Sequence, residues 1–292
     1  MDWQLLSAQL LNGLVLGSIY ALIALGYTMV WNILEFINFA HGEVYMVGAF
    51  VGLTTVVSGA PLIVGFITGA AAAALLGVLI ERLAYRPLRG TPKINLLISA
   101  IGVSIILQNL AQVIWGARPK VFPSPFLDAS FQIAGININY QQIFIIGTAL
   151  LLMVGLQLWI KKSMMGKALR GSAQDMEAAQ LMGIPTNRIV SLTFAVGSAL
   201  GAIAGILIGP LYLVYPTMGG LAGLKAFTAA VLGGIGNIAG ALVGGLLLGT
   251  IESLAAAYVS SGYRDAIAFG VLILVLLFRP WGLLGRPTRE KV

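Results

Sequence analysis

The chain has no cysteine, a single histidine and few charged residues. Without cysteine it forms no disulfide and no thiolate metal site. One histidine, His41, with no Cys or Asp nearby in sequence is a poor metal ligand set. There is no G-x-x-x-x-G-K-[ST] phosphate loop, so the chain cannot hydrolyse ATP by that route. Only 9% of residues are charged and 59% are hydrophobic, far from the roughly 25% and 45–50% of soluble domains. Segments of alternating polarity, which a membrane barrel would need, are also missing.

What is present instead is a succession of apolar runs of about 20 residues, the signature of an all-α polytopic membrane protein. The reading gives about nine transmembrane helices (between eight and ten), near 5–30, 33–57, 61–85, 94–116, 142–160, 188–209, 218–234, 237–259 and 263–280. The 37 glycines suit helices that pack closely in lipid. The N-terminal run has no basic flank and no cleavage site after it, and is expected to be the first span rather than a signal peptide.

The net charge of +7 does not point to nucleic acid, because thirteen of the seventeen basic residues fall in three groups between apolar runs. These are Arg82 to Lys93, Lys161 to Arg188 and Arg279 to Lys291. The positive-inside rule places all three in the cytoplasm and the proline-rich segment 117–141 outside. Nine crossings satisfy every group at once. Lys225, early in the seventh span, is expected to snorkel to the outer interface.

Two segments repeat: "GFITGAAAAALLGVLIERLA" (65–84) and "GNIAGALVGGLLLGTIESLA" (236–255) match at ten of twenty positions, including Glu81 with Glu252. Five crossings separate them, so they would run in opposite directions. The reading is one transmembrane domain over 1–292, with inverted repeat halves about 5–116 and 188–280, and a pathway at their interface. "GGIGNIAG" (233–240) resembles a dinucleotide fingerprint, but it lacks the required preceding strand. Gly236, Gly240 and Gly244 are better read as one close-packing helix face.

"SAQDMEAAQLMGIPTNRI" (172–189) has the composition of a water-facing helix inside this apolar chain. Ser172 or Asp175 can cap it, and Gly183 with Pro185 can end it. Its Ala178–Ala179 face suits a tight socket on a protein better than lipid headgroups, which favour bulky apolar residues. A second polar stretch, "EFINFAHGEVY" (35–45), sets Glu35, Asn38, His41, Glu43 and Tyr45 in or beside a span. Such groups line a cavity or sit at a broken helix end. Asn38, His41 and Tyr45 would share a helix side. Gln108 and Asn109 near the outer end of the fourth span could line a vestibule or bond between helices.

"EAAQLMGI" (177–184) resembles the coupling motif of ABC importer permeases, with Glu177, Ala178 and Ala179 ahead of Gly183. The downstream Ile-x-Leu-Pro of the general motif is replaced here. "GSIYALIALGYTMVWNILEFINFAHGEVYMVGAF" (17–50), "GLKAFTAAVLGGIGNIAGALVGGLLLG" (223–249) and "RPWGLLGRP" (279–287) resemble the LivH-type permeases of branched-chain amino acid importers. That resemblance implies a transport subunit with no enzymatic activity and no cofactor or metal of its own. It implies a second, LivM-type permease, two cytoplasmic ATPase subunits that hold ATP and Mg, and a periplasmic or extracellular binding protein delivering Leu, Ile or Val. The setting would be the lipid of a bacterial cytoplasmic (inner) membrane. The loop 161–188 would couple to the ATPases through Asp175, Glu177, Ala178, Ala179, Met182, Gly183 and Ile184. The candidate path residues are Asn38, His41, Glu43, Tyr45, Gln108 and Asn109. The competing reading is an ion-coupled secondary transporter with His41 and Glu43 as the coupling site.

Overall fold

The computed structural model describes residues 3–126, 129–133 and 136–285. The last three basic residues of the C-terminal group, Arg286, Arg289 and Lys291, lie outside the described residues. Eleven α-helices account for most of the described chain: α1 (Trp3–Leu34), α2 (His41–Val57), α3 (Leu62–Ile80), α4 (Lys93–Trp115), α5 (Tyr140–Lys162), α6 (Met164–Gln174), α7 (Met176–Leu181), α8 (Thr186–Ile208), α9 (Met218–Gly233), α10 (Ile238–Tyr258) and α11 (Arg264–Phe278). Seven segments are long and apolar enough to cross a membrane; α2 and α9 are shorter apolar helices of 17 and 16 residues.

Cross-contacts sort the helix ends into two groups. At one end Lys93 pairs with Glu35, Arg89 donates to Asn187, and Gly236 abuts Asn32. The C-termini of α1 and α3 therefore lie beside the N-termini of α4, α8 and α10. At the other end Gln142 donates to Asn12, Ser253 to the Gln9 carbonyl, and Lys120 bridges Val214. The second end also carries a hairpin that the sequence does not announce, β1 (Ser130–Ile133) paired antiparallel with β2 (Ile136–Asn139).

α1 is the axis of the molecule, with 94% of its most apolar window buried. It packs along α10 and against α8, while α3 packs along α8. The α1–α10 seam is built from glycine. A Cβ on Gly17 would come within 2.7 Å of the Leu246 backbone, and one on Gly245 within 2.5 Å of Ala21. Lipid offers no hydrophobic drive to helix association, so such close backbone contact must supply it through dispersion. α3, α4, α5 and α11 expose long aliphatic side chains outward, as lipid-facing helices do.

Three details differ from the sequence reading. The second span does not begin at residue 33, because Glu35 takes a left-handed φ of 49° and the Asn38 side chain accepts from the Ala40 N–H, which ends α1 and delays α2 to His41. α3 continues into a π-helical turn, Glu81–Tyr85, ahead of Pro87. Gly236 lies in the turn before α10, at φ +94°, while Gly240 and Gly244 pack on Gly233 of α9.

Candidate functional site

Three groups of polar residues stand out against the apolar body. The first is the α6–α7 hairpin, beside the end that gathers Glu35 and Lys93. Ser163 caps α6 by accepting from the Gly166 N–H at 2.9 Å. Asp175 caps α7 by accepting from the Ala178 N–H at 2.9 Å. Ser172 is no cap: it is buried within α6. Gly183, at φ +81°, reverses the chain, and the Ile184 N–H returns to the Ala179 carbonyl. Ala179 turns inward and is 5% exposed, so the two alanines do not share an outer face. The face of α7 open to a partner carries Glu177, Ala178, Leu181 and Met182, the last two 89% and 83% exposed. Gly183 is exposed and Ile184 is half-buried near Gly171. Beside this hairpin a cavity of about 700 Å³ is lined by Asn32, Gln157, Lys161, Arg170 and Asn237, among others.

The second group is the break between α1 and α2, and it does not form one lining. Asn38 lies outside α2, so it shares no helix face with His41 and Tyr45; its Oδ1 accepts from the Tyr85 hydroxyl at 2.6 Å. His41 is buried, edge-on to Tyr27 at 4.9 Å, with its Nε2 pressed on Gly26 and unpartnered. Glu43 faces a cavity of about 240 Å³, where Gln108 donates to its Oε1 at 2.8 Å and Ser104 at 3.3 Å. Tyr45 faces a different cavity. Asn109 is exposed on α4 and donates to the Ile105 carbonyl of its own helix at 2.8 Å. The geometry thus joins Glu43 with Gln108, sets His41 and Tyr45 on one side of α2 against Gly201 of α8, and leaves Asn38 and Asn109 apart.

The third group is a pair of buried carboxylates. Glu81 accepts from Ser191 of α8 at 2.7 Å, from Arg86 at 3.1 Å, and from Arg89. Burial pulls the Arg89 guanidinium below its ordinary value, an effect the adjacent Glu81 opposes. Glu252 of α10 accepts from Lys225 of α9 at 2.7 Å and lies 2.5 Å from Arg264 Nε. Lys225 also lies 2.6 Å from Asp265. Lys225 is buried, so it does not snorkel to an interface. The signal for this cluster was in the sequence: charges inside apolar spans are costly and seek each other. Among the described residues no group of three or more His, Asp or Glu could hold a metal ion.

Residues 9–276 match the family model described as branched-chain amino acid transport system / permease component. The chain belongs to that family. This permease is 48% identical to the high-affinity branched-chain amino acid transport system permease protein BraD of Pseudomonas aeruginosa, over 97% of both chains. It is 46% identical, over the same share of each, to the corresponding LivH of Escherichia coli. It is a LivH-type permease, and a multi-pass membrane protein by its helices. A more distant relative, at 25% identity over 91% of this chain and 83% of the other, is the ribose import permease protein RbsC of Haemophilus influenzae. PsaBC from Streptococcus pneumoniae, solved in complex with a Fab, shares the fold at TM-score 0.50 and 14% identity, covering 96% of the permease and 93% of that chain.

Proposed function

We propose that this permease is the membrane subunit of an ATP-driven ABC importer that passes leucine, isoleucine and valine across a bacterial cytoplasmic membrane. It works with a second, homologous permease, two cytoplasmic ATPases that bind ATP and Mg, and an external binding protein. The chain itself performs no covalent chemistry. The observation that carries the reading is α7: a capped helix outside the apolar body that exposes Leu181 and Met182 almost fully. An apolar face held in water has no reason to persist without a partner. Its place at the basic end of the bundle is where an ATPase would dock.

We further propose nine crossings, with α2 and α9 as short ones, arranged as an inverted repeat. Support comes from equivalent packing: α3 lies along α8 as α10 lies along α1, Gly69 of α3 meets Gly48 of α2, and Gly240 of α10 meets Gly233 of α9. Glu81 and Glu252, matched in sequence, are both wholly buried and each held by two basic residues at opposite ends of the bundle.

Reconstitution of the assembled transporter tests the function. The expected result is leucine uptake that needs ATP and the binding protein. Uptake driven by an imposed proton gradient without ATP would overturn it in favour of an ion-coupled carrier.

A further inference from the structure

The ion cluster around Glu252 does more than tie helices together, because it forms one wall of a cavity of about 170 Å³. The opposite walls are apolar: Leu16 and Ile19 of α1, Ile208 of α8, and Met218 and Leu221 of α9. Tyr20 and Tyr45 add hydroxyls. The cavity lies beside the segment 212–215, at the end that carries the hairpin. Two charged groups in it are incompletely used. Glu252 Oε2 is fully buried and has no aligned hydrogen-bond donor, although the Tyr20 hydroxyl lies within reach of the carboxylate. Arg264 lies close to Glu252 through Nε without hydrogen-bond alignment, and its Nη2 reaches only the Tyr212 hydroxyl, at 3.5 Å.

A buried carboxylate oxygen without an aligned donor is costly, and a structural ion lock alone would leave neither group short of partners. An open carboxylate oxygen, an under-used guanidinium and a facing aliphatic wall are complementary to one class of solute. That class is an α-amino acid zwitterion with an aliphatic side chain. We propose that this cavity is an outer holding site for the free amino acid. The ligand ammonium donates to Glu252 Oε2, the ligand carboxylate accepts from Arg264, and the side chain lies against Ile19, Met218 and Leu221. The inference rests on the importer reading above and adds the place where the solute first meets the permease. Lys225 and Asp265 keep the cluster neutral, so the ligand replaces existing charge pairs rather than meeting a bare charge. Binding is therefore weak, as passage requires.

The absence of native cysteine allows a direct test. Leu213 borders the cavity and is 45% exposed, so Leu213→Cys reports on occupancy. Maleimide labelling is timed on the assembled transporter in nanodiscs, without binding protein, with L-leucine, leucinamide, isocaproate or glycine. At about ten times its Kd, a ligand covering the thiol slows labelling about tenfold. The expected result is slowing by leucine alone, since leucinamide lacks the carboxylate, isocaproate the ammonium and glycine the side chain. Slowing by none of them, or equally by leucinamide and isocaproate, overturns the site. Glu252→Gln should abolish the protection. Ala222→Phe, which fills the cavity and leaves the charges in place, should abolish it too, and decides the matter if the Gln variant fails to assemble. Protection that survives the filling variant overturns the proposal. ATP-driven uptake is run in parallel. Uptake without protection removes the site and leaves the importer, whereas protection without ATP-driven uptake removes the importer and leaves the site.

Discussion

Glu81 carries no exposed surface, yet it answers to two guanidinium groups and a serine from another helix. Removing one partner of a buried pair leaves the others without compensation, at a cost of 3–5 kcal/mol in well-enclosed cases. Arg86 keeps 36% of its side chain exposed, so Glu81→Ala should cost about 3 kcal/mol, the lower end of that range. Unfolding of the purified permease in detergent checks this. His41 is the opposite case: it is a packing residue, wedged between Gly26 and Tyr27. His41→Asn should retain ATP-driven uptake with the same flat response across about pH 6–8, the range in which a coupling histidine would show itself. Uptake by proteoliposomes across that range is the measurement. Sequence picked out these polar residues because ionisable groups in apolar runs are conspicuous. It could not say which cavity each one faces, since a single break at 35–40 turns Asn38 toward Tyr85 and Glu43 toward Gln108.

At the scale of elements, α7 and the α1–α10 seam make separable claims. Ala178 is open and Ala179 is enclosed, although they are neighbours. Ala178→Trp should leave the permease inserted and monodisperse but detach the ATPases, or stop hydrolysis from responding to the binding protein. Ala179→Trp should instead disturb the hairpin, because overfilling a packed position costs about 1–3 kcal/mol. Pull-down of the ATPase and gel filtration separate the two results. The sequence located α7 by its composition and the Asp175 cap, but it read neither α6 nor its Ser163 cap. It missed which alanine turns inward, because α7 is only six residues long and its orientation is set by α6 and α8. On the seam, Gly17→Val should lower stability by about 1–3 kcal/mol or prevent assembly, since its added carbon meets backbone rather than a movable side chain.

For the whole molecule, the sorting of helix ends predicts sidedness. A cysteine in place of Ser124 should react with an impermeant reagent only from outside, and one in place of Leu181 only from the cytoplasm. Reversal of either would reject the topology. Most of the architecture was legible because lipid forces each span to satisfy its own backbone, so the apolar runs map onto helices nearly one to one. The pairing of β1 with β2 escaped because neither strand belongs to an apolar run, so no such constraint marks it in the sequence.

The enclosure of α1 has a consequence for how the protein is made. α1 leaves the ribosome before α10, yet its glycine seam meets α10, which starts 204 residues after α1 ends (238 minus 34). At synthesis rates of about 5–20 residues per second, α1 waits roughly 10–40 s for its main neighbour. During that interval Asn12, Tyr20 and Asn32 lack their final surroundings in the lipid. Biogenesis of this protein therefore has a long vulnerable interval between α1 and α10, and translational pausing before residue 238 should send more of the nascent chain to proteolysis than pausing after residue 258.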